Sequence, residues 1–507
     1  MPFVSIAWRD GGPQLNAAPP ACFKDLNLGD VVDAACEGYE EYDLKPLFYT
    51  PLTTPEEVAY RQQVMREVEE PALAGALRDF AAGLKAMRAH LAQRERLGYD
   101  RQQQYEFLLA AECYHRAAEQ LSRTLSEAAP RSAGLAAFTA WLHAYTASEG
   151  FLRLGTDIRG TRQALAAVHY TVHIKERTVR VDNYARQKDY GKELEAFFHK
   201  FRQGDVRDYL CELPTPARMN HVEAAILTLV AKRNPEPFAM LARFSDDWQD
   251  FQDPVLLRFD RETQFYLAFT AYAGRFRAQG LPFCLPEVTG RRGVCRCAES
   301  FDLALATKNL KEGTPTVCNG VELHEGERIM VVTGPNQGGK TTFARMMGQL
   351  YYLAALGCPV PGAQAQLSLV DNLFTHFERE EEQTPDSGRL ADDLHRAHEM
   401  LANATPSSLF LFNEVFSSTT VQDALYLGRQ VMERISRMDA LCVWVTFLDE
   451  LSAFDEKTVS LTSLIDPEDK QARTFRIVRR AADGKAYAVS IARRHGLSYE
   501  QIKERMR

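Results

Sequence analysis

Residues 334–342 read Gly-Pro-Asn-Gln-Gly-Gly-Lys-Thr-Thr, and they constrain this chain more than any other stretch. They fit the pattern G-x-x-x-x-G-K-[ST], with Gly334, Gly339, Lys340 and Thr341 in the defining places. Before them, Ile329-Met330-Val331-Val332-Thr333 reads as a buried strand; after them, Phe343 to Leu356 reads as a helix that stops at Gly357. Strand, glycine-rich loop, then helix is the context in which this pattern folds as a phosphate loop. Glycines let the backbone curl so that its N–H groups face phosphate oxygens, and the helix N-terminus adds partial positive charge. The expected nucleotide contacts are therefore Gly334, Pro335, Asn336, Gln337, Gly338, Gly339, Lys340, Thr341 and Thr342. Lys340 should reach the β- and γ-phosphates, and the Thr341 hydroxyl should ligate Mg²⁺.

Composition sets the frame. The 507 residues suffice for two to four domains with sizeable cores, and 45% hydrophobic with 25% charged residues is ordinary for a globular protein. No apolar run approaches the ~18 residues of a membrane span, and Met1-Pro2-Phe3-Val4-Ser5 lacks the form of a signal peptide. Ten cysteines are scattered, with only Cys295 and Cys297 close, which reads as thiols in a reducing cytoplasm. A net charge of −8 excludes a uniformly basic nucleic-acid coat and leaves room for a local basic patch.

Up to about residue 290 the pattern is mainly helical. Leu73, Leu77, Phe80, Leu84, Met87 and Leu91 are spaced to line one helix face, and further helical patterns run through 103–127, 134–150, 192–202, 220–232 and 262–279. Val168, Tyr170, Val172 and Ile174 alternate with polar residues, then Val179 and Val181 alternate again, which predicts a β-hairpin. Around it, 153–192 holds nine cations against four acids. Arg159, Arg162, Lys175, Arg177, Arg180, Arg186 and Lys188 are the candidates for phosphate contact, the plain alternative being a solvated charged hairpin.

Past Leu285-Pro286-Glu287-Val288-Thr289-Gly290, strands alternate with helices at 329–333, 343–356, 390–403, 408–412, 423–437 and 441–446. This predicts an α/β domain with a largely parallel sheet over 291–507, preceded by a mainly helical domain over 1–290. Leu461 and Phe475–Val478 predict a late hairpin, and Ser498 to Met506 a short helix with a Ser498…Gln501 capping box.

A phosphate loop needs a Mg²⁺-side acid and a group that orients water at a nearby strand end. Leu409-Phe410-Leu411-Phe412-Asn413-Glu414 supplies that end. Glu414 is the candidate catalytic carboxylate beside Lys340, and Asn413 stands where an aspartate is expected on the metal side, with Thr341 as its partner. An amide offers one neutral oxygen and no charge, and losing one preorganised electrostatic partner costs on the order of 10²–10³ in rate. Asp423 is a candidate to compensate. Ser417-Ser418-Thr419-Thr420 forms a hydroxyl-rich loop that either contacts phosphate or caps the helix beginning near Asp423.

These motifs together resemble the ATPase domain of the MutS-type DNA mismatch-repair proteins. Thr333 to Thr341 matches the family's T-G-P-N-x-G-G-K-[ST] throughout, and Asn319, Ser387-Gly388-Arg389, Thr419 with Asp423, and Lys485-Ala486-Tyr487 with Gly496 follow in the family's order. Tyr49-Thr50-Pro51-Leu52 through Arg61-Gln62 resembles the opening of the family's helical core, and Thr263 to Val288 its returning lever helix. The resemblance implies a C-terminal α/β P-loop ATPase domain (ABC/MutS-like) with a helix-turn-helix-like dimerisation segment. Ahead of it comes a mainly α-helical core/lever domain with a small β-containing, clamp-like insertion at about 153–210. It also implies ATP and Mg²⁺ as cofactors, Asn319 as a further ATP contact, and a homodimer in which Ser418 and Thr419 act in trans. DNA is the implied partner, selected by structure rather than sequence. Several positions depart from the family pattern: Asn413, Phe447 for a γ-phosphate-sensing histidine, Thr316 for an adenine-stacking aromatic, and Ser417-Ser418 for an Arg-Gly pair. The chain enters almost directly on the core, so the expectation is an ATP-gated clamp without mismatch reading of its own, hydrolysing slowly. The alternative is a nucleotide-gated scaffold for a protein partner.

Overall fold

A computed structural model of the chain describes residues 3–176, 178–184, 219–377, 388–465, 473–482 and 503. They divide into two compact units, one formed by 75–129 with 139–260, the other by 1–74, 130–138 and 261–507.

The first unit is helical. Within the helix Pro71–Arg96, Leu77, Phe80, Leu84 and Met87 are all buried, as their 3–4 spacing predicts. Gly83 of that helix faces Ala117 and Phe80 meets Phe259, while the helices Asp100–Ala128, Glu149–Ala166 and Pro235–Asp247 of the same unit pack on one another and Phe107 meets Phe244 and Phe251. The pattern read as one helix over 134–150 is two, Ala133–Thr146 and Glu149–Ala166. The break falls at Ser148, whose side chain accepts the Phe151 N–H and caps the second helix. Strands β1 (Tyr170–Lys175) and β2 (Thr178–Asn183) form the expected antiparallel hairpin, with Val172 opposite Val181. Val181 is buried against Val230 and Phe238, which fixes which face of the hairpin turns inward. The expected helix at 192–202 lies outside the described residues.

The second unit carries the remaining sheets. Its short strands are β3 (Phe283–Cys284), β4 (Glu287–Thr289), β5 (Cys295–Ser300), β6 (Asn319–Glu322), β8 (Val360–Pro361) and β9 (Gln364–Ser368). The main sheet is built from β7 (Ile329–Thr333), β10 (Leu373–Phe377), β11 (Leu409–Asn413), β12 (Leu441–Val445), β13 (Thr458–Ile465) and β14 (Arg473–Arg479). Its order is β10-β11-β12-β7-β13-β14, parallel except for β14, which returns antiparallel beside β13 as the late hairpin. Every residue of β7, β11 and β12 is buried, which is why these strands read as continuous apolar runs. Ile329, Val331, Phe410, Phe412 and Trp444 share one core cluster with Met432 and Ile435 of the helix Val421–Met438. On the opposite face Leu411 meets the helix Lys340–Ala355 at Gly348, where a Cβ would lie 2.6 Å from the leucine methyl.

That helix is buried from both sides, because the N-terminal segment closes over it. Leu26 packs on Gly348, Gln349 Nε2 donates to the Leu26 and Asp302 oxygens, and Tyr352 OH donates to Phe48 O. Arg61 completes this packing. Its guanidinium donates to Ala7 O (3.1 Å) and Leu356 O (3.0 Å) and lies over the Trp8 and Phe265 rings. It is fully buried, and desolvation pulls its affinity for the proton down.

Cys295 and Cys297 sit buried on β5, where desolvation pushes both thiols up and keeps them protonated. Among the described residues, no group of three or more His, Cys, Asp or Glu side chains is arranged to hold a metal, and no helix is long and apolar enough to cross a membrane. Of the predicted C-terminal helix only residue 503 is described; Lys485-Ala486-Tyr487 and Gly496 lie outside the described residues, as do Ser387 and the acidic run 378–382.

Candidate nucleotide site

The loop at 334–339 leaves the carboxyl end of β7, a central strand of the main sheet, where open α/β sheets gather their ligands. Gly334 (φ 117°), Gln337 (φ 62°) and Gly339 (φ 88°) all take positive φ, so the chain curls tightly. Gly339 is the left-handed residue that opens the helix at Lys340, three residues earlier than the apolar pattern alone placed it. The N–H groups of Lys340, Thr341 and Thr342 belong to the first turn and have no partner inside the helix. A cradle of this kind binds oxyanions through backbone donors and the helix dipole.

Ser463 of β13, a residue the sequence reading missed, holds the loop from below. Its hydroxyl donates to Gly338 O at 2.7 Å. A Cβ at Gly338 would sit 2.4 Å from Ser463 Oγ and 2.9 Å from Pro335 O. The second contact is backbone and cannot give way cheaply. Gly338→Ala is therefore expected to weaken nucleotide binding about tenfold and to destabilise the protein by about 1–3 kcal/mol. Calorimetric titration and urea unfolding check the two effects; unchanged affinity counts against the loop as the cradle.

Lys340 is buried under the loop. Its ammonium donates to Gly334 O (2.9 Å), Pro335 O (3.2 Å) and Asn336 Oδ1 (3.3 Å). Desolvation pulls its pKa below the ordinary lysine value, while the Glu414 carboxylate works in the opposite direction. The Thr341 hydroxyl donates to Asn413 Oδ1 at 2.8 Å, joining the loop to the end of β11 although β12 lies between the two strands. Glu414 follows at φ 55° with its N–H on Val445 O, which fixes the turn that leaves the carboxylate in the cleft.

The cleft encloses about 530 Å³ and is lined by Asn336 to Thr342, Glu414, Asn319, Thr316, Leu305 and Phe475, among others. This lies within the ~300–1,000 Å³ range of small-molecule pockets. Asn319 lines it, but both ends of its amide are engaged by β14: Nδ2 donates to Phe475 O (3.0 Å) and Oδ1 accepts the Ile477 N–H (2.7 Å). This pair of bonds holds Phe475 at φ 55° with its ring exposed in the cleft, beside Gly339. Phe475 is thus an aromatic wall that no local signal in the sequence announced, opposite a Thr316 whose hydroxyl is bonded by Asn309 Nδ2.

The remaining candidates fall elsewhere. Thr420 caps the helix Val421–Met438, accepting the Asp423 N–H, and Asp423 in turn accepts from the Thr420 and Thr419 hydroxyls. Asp423 is thus committed to capping and does not line the cleft. Ser418 is exposed. Phe447 is 48% exposed just beyond β12. Of the basic segment, Arg162 lies near Glu112 and bonds the Tyr105 hydroxyl, Arg180 pairs with Asp182, and Arg159 and Lys175 are exposed. Arg177, Arg186 and Lys188 lie outside the described residues.

Fold and site define the class as an α/β domain with a glycine-rich oxyanion cradle at the carboxyl ends of a parallel sheet. Comparison with known proteins narrows it. Residues 330–506 match the family model for MutS domain V, which is an ATPase domain. Curated relatives align over the C-terminal half. They include the DNA mismatch repair protein MutS of Caldicellulosiruptor saccharolyticus (28% identity over 37% of this chain and 22% of that protein) and the Endonuclease MutS2 of Gemmatimonas aurantiaca (34%, over 36% and 23%). The mismatch repair protein MutS of Chlorobium phaeovibrioides is 27% identical over 44% of this chain and 26% of its own length. The C-terminal part of the chain thus matches a MutS domain V and is similar there to MutS and MutS2 proteins. The aligned stretch spans about a quarter of these relatives' lengths.

Proposed function

We propose that the chain is a Mg²⁺-ATP-dependent ATPase of the MutS type, with the P-loop at 334–342, that works as a homodimer on DNA in the cytoplasm. The observation that carries the reading is the convergence of Lys340, Thr341 and Glu414 on one cleft at the end of a parallel sheet, with Asn413 bonded to Thr341. The residues fit Mg²⁺-ATP: glycines where a side chain would clash, a buried cation, two neutral oxygens 2.8 Å apart for a hard metal, and an aromatic wall. In this reading the first-turn N–H groups and Lys340 hold the β- and γ-phosphates. Thr341 and Asn413 hold the metal directly or through its waters. Bound Mg²⁺ supplies charge neutralisation at the γ-phosphate. Glu414 orients the attacking water and accepts its proton. Phe475 offers its face to the base. Ser418 and Thr419 complete the partner's site. The helical part to about residue 290 carries the grip on DNA, with Arg159, Arg162, Lys175, Arg177, Arg180, Arg186 and Lys188 as phosphate contacts. Different nucleotide affinities of the open and closed dimer couple the two.

Asn413 sets the rate. Its oxygen is a good partner for Thr341 but carries no charge, so hydrolysis is slow and Asn413→Asp is expected to raise the single-turnover rate about tenfold. Wild type should in turn exceed Glu414→Ala. Equal rates for those two proteins, with ATP still bound, would replace the enzyme by a nucleotide-gated scaffold for a protein partner, the reading that the neutral Asn413 favours. For the DNA half, affinity for duplex and branched DNA is measured against salt, with and without ATP.

A further inference from the structure

At the other end of the main sheet lies a small cleft of about 220 Å³, lined by Arg291, Arg292, Gly293, Arg296, Arg328 and Glu322, among others. Arg328 immediately precedes β7, so one strand length, roughly 17 Å, separates this end from the glycine-rich loop. Asp439 and Lys457 also lie just ahead of their strands, β12 and β13.

Four arginines around one small cleft need an explanation, and their partners do not supply it. Arg328 Nη2 and Lys457 Nζ share the single carboxylate of Asp439, at 3.2 and 2.8 Å. Arg291 and Arg296 meet Glu325 and Glu322 in exposed pairs at 3.3 and 3.8 Å, of the kind that contributes little and exchanges readily. Arg292 has no carboxylate partner among the described residues. The cleft therefore carries a positive excess in a chain whose net charge is −8.

The geometry is also fixed in advance. Arg328 is held by Asp439 and by Glu327 O (2.7 Å), while its buried Nε has no hydrogen-bond partner. The turn at Gly293 (φ 75°) lies directly on that guanidinium: a Cβ there would stand 2.5 Å from Arg328 Cζ and Nη1. Only glycine allows this close approach.

We propose that this cleft is a second oxyanion site, which takes one phosphate group from a phosphodiester backbone or from a free phosphate compound. A tetrahedral anion presents oxygens to several guanidinium forks at once, which a planar carboxylate does less well. Its charge is also enough to displace the loosely held Glu322 and Glu325. The volume equals about seven waters at ~30 Å³ each, room for a phosphate group and some hydration but not for a whole nucleotide.

The test uses the full chain with Lys340→Ala, so that the glycine-rich loop does not compete and its role is not at issue. Pyrophosphate is titrated by calorimetry and duplex DNA by anisotropy at several salt concentrations, with and without the double change Arg292→Ala and Arg296→Ala. If DNA is the source, the double variant binds DNA at least about tenfold more weakly and the slope of log K against log salt falls by about two. If a free phosphate compound is the source, near-stoichiometric pyrophosphate binding is lost and DNA binding is unchanged. Both arginines are exposed, so unchanged thermal unfolding is expected, and Arg292→Glu provides a second variant with the same readouts. If neither ligand responds to either variant, the proposal is overturned.

Discussion

Lys340→Ala should weaken Mg²⁺-ATP binding by about 100- to 1,000-fold while leaving the fold intact. The ammonium is buried beneath the loop and bonded to three of its oxygens, so it sits where phosphate charge would arrive. A charge-assisted hydrogen bond contributes about 1.5–3 kcal/mol, and two to the phosphates account for the predicted loss. Folding should respond far less. Burial already opposes the charged form of this lysine, so its removal relieves a desolvation cost as it loses the three bonds. Titration with a fluorescent ATP analogue, paired with thermal unfolding with and without Mg²⁺-ATP, separates the two. Affinity within threefold of wild type would mean that the cleft is not the nucleotide site.

The second large effect concerns stability alone. Arg61→Ala should cost about 3–5 kcal/mol in urea unfolding, with the m-value unchanged. The substitution empties the volume of a fully buried side chain between Trp8 and Phe265 and leaves the buried oxygens of Ala7 and Leu356 without their donor. Recovering the desolvation cost of the guanidinium offsets part of this. The stem matters too, because Gly357 at φ 68° rests on it, its would-be Cβ 3.1 Å from Arg61 Cβ. Arg61→Met keeps the stem and should fall between alanine and wild type. A loss below 1 kcal/mol for alanine would mean that the surroundings collapse or hydrate around the vacancy.

How much of this was legible in the sequence depended on distance along the chain. β7, the loop and the helix after it were readable because five buried residues, two positive-φ glycines and an apolar helix follow one another directly. The hairpin at 170–183 and the stripe on Pro71–Arg96 were readable from period alone. Asn413 and Glu414 could be placed because their strand ends in the only two polar residues after four apolar ones. What stayed hidden was long-range. Ser463 and Phe475 reach the loop from β13 and β14, more than a hundred residues away, and nothing local distinguishes them from other strand residues. The Thr419–Asp423 stretch offered two readings; the geometry shows the helix cap, and contact with phosphate belongs to the proposed function. Arg61 was legible as part of a motif, but its task, tying Ala7 to Leu356, needed three dimensions.

The packing of the N-terminal segment over the helix Lys340–Ala355 separates two boundaries that are easily taken as one. The match to the family model begins at residue 330, yet the helix behind its loop leans on Leu26, Phe48 and Arg61. Inheritance and cooperativity therefore cut this protein in different places. A gene fragment trimmed to the recognisable stretch would slice through an oily interior and expose Gly348, Gln349 and Tyr352 to water. Swapping that stretch between relatives would likewise require exchanging the first seventy-odd residues with it, since the lock and the hand that steadies it are encoded at opposite ends of the chain.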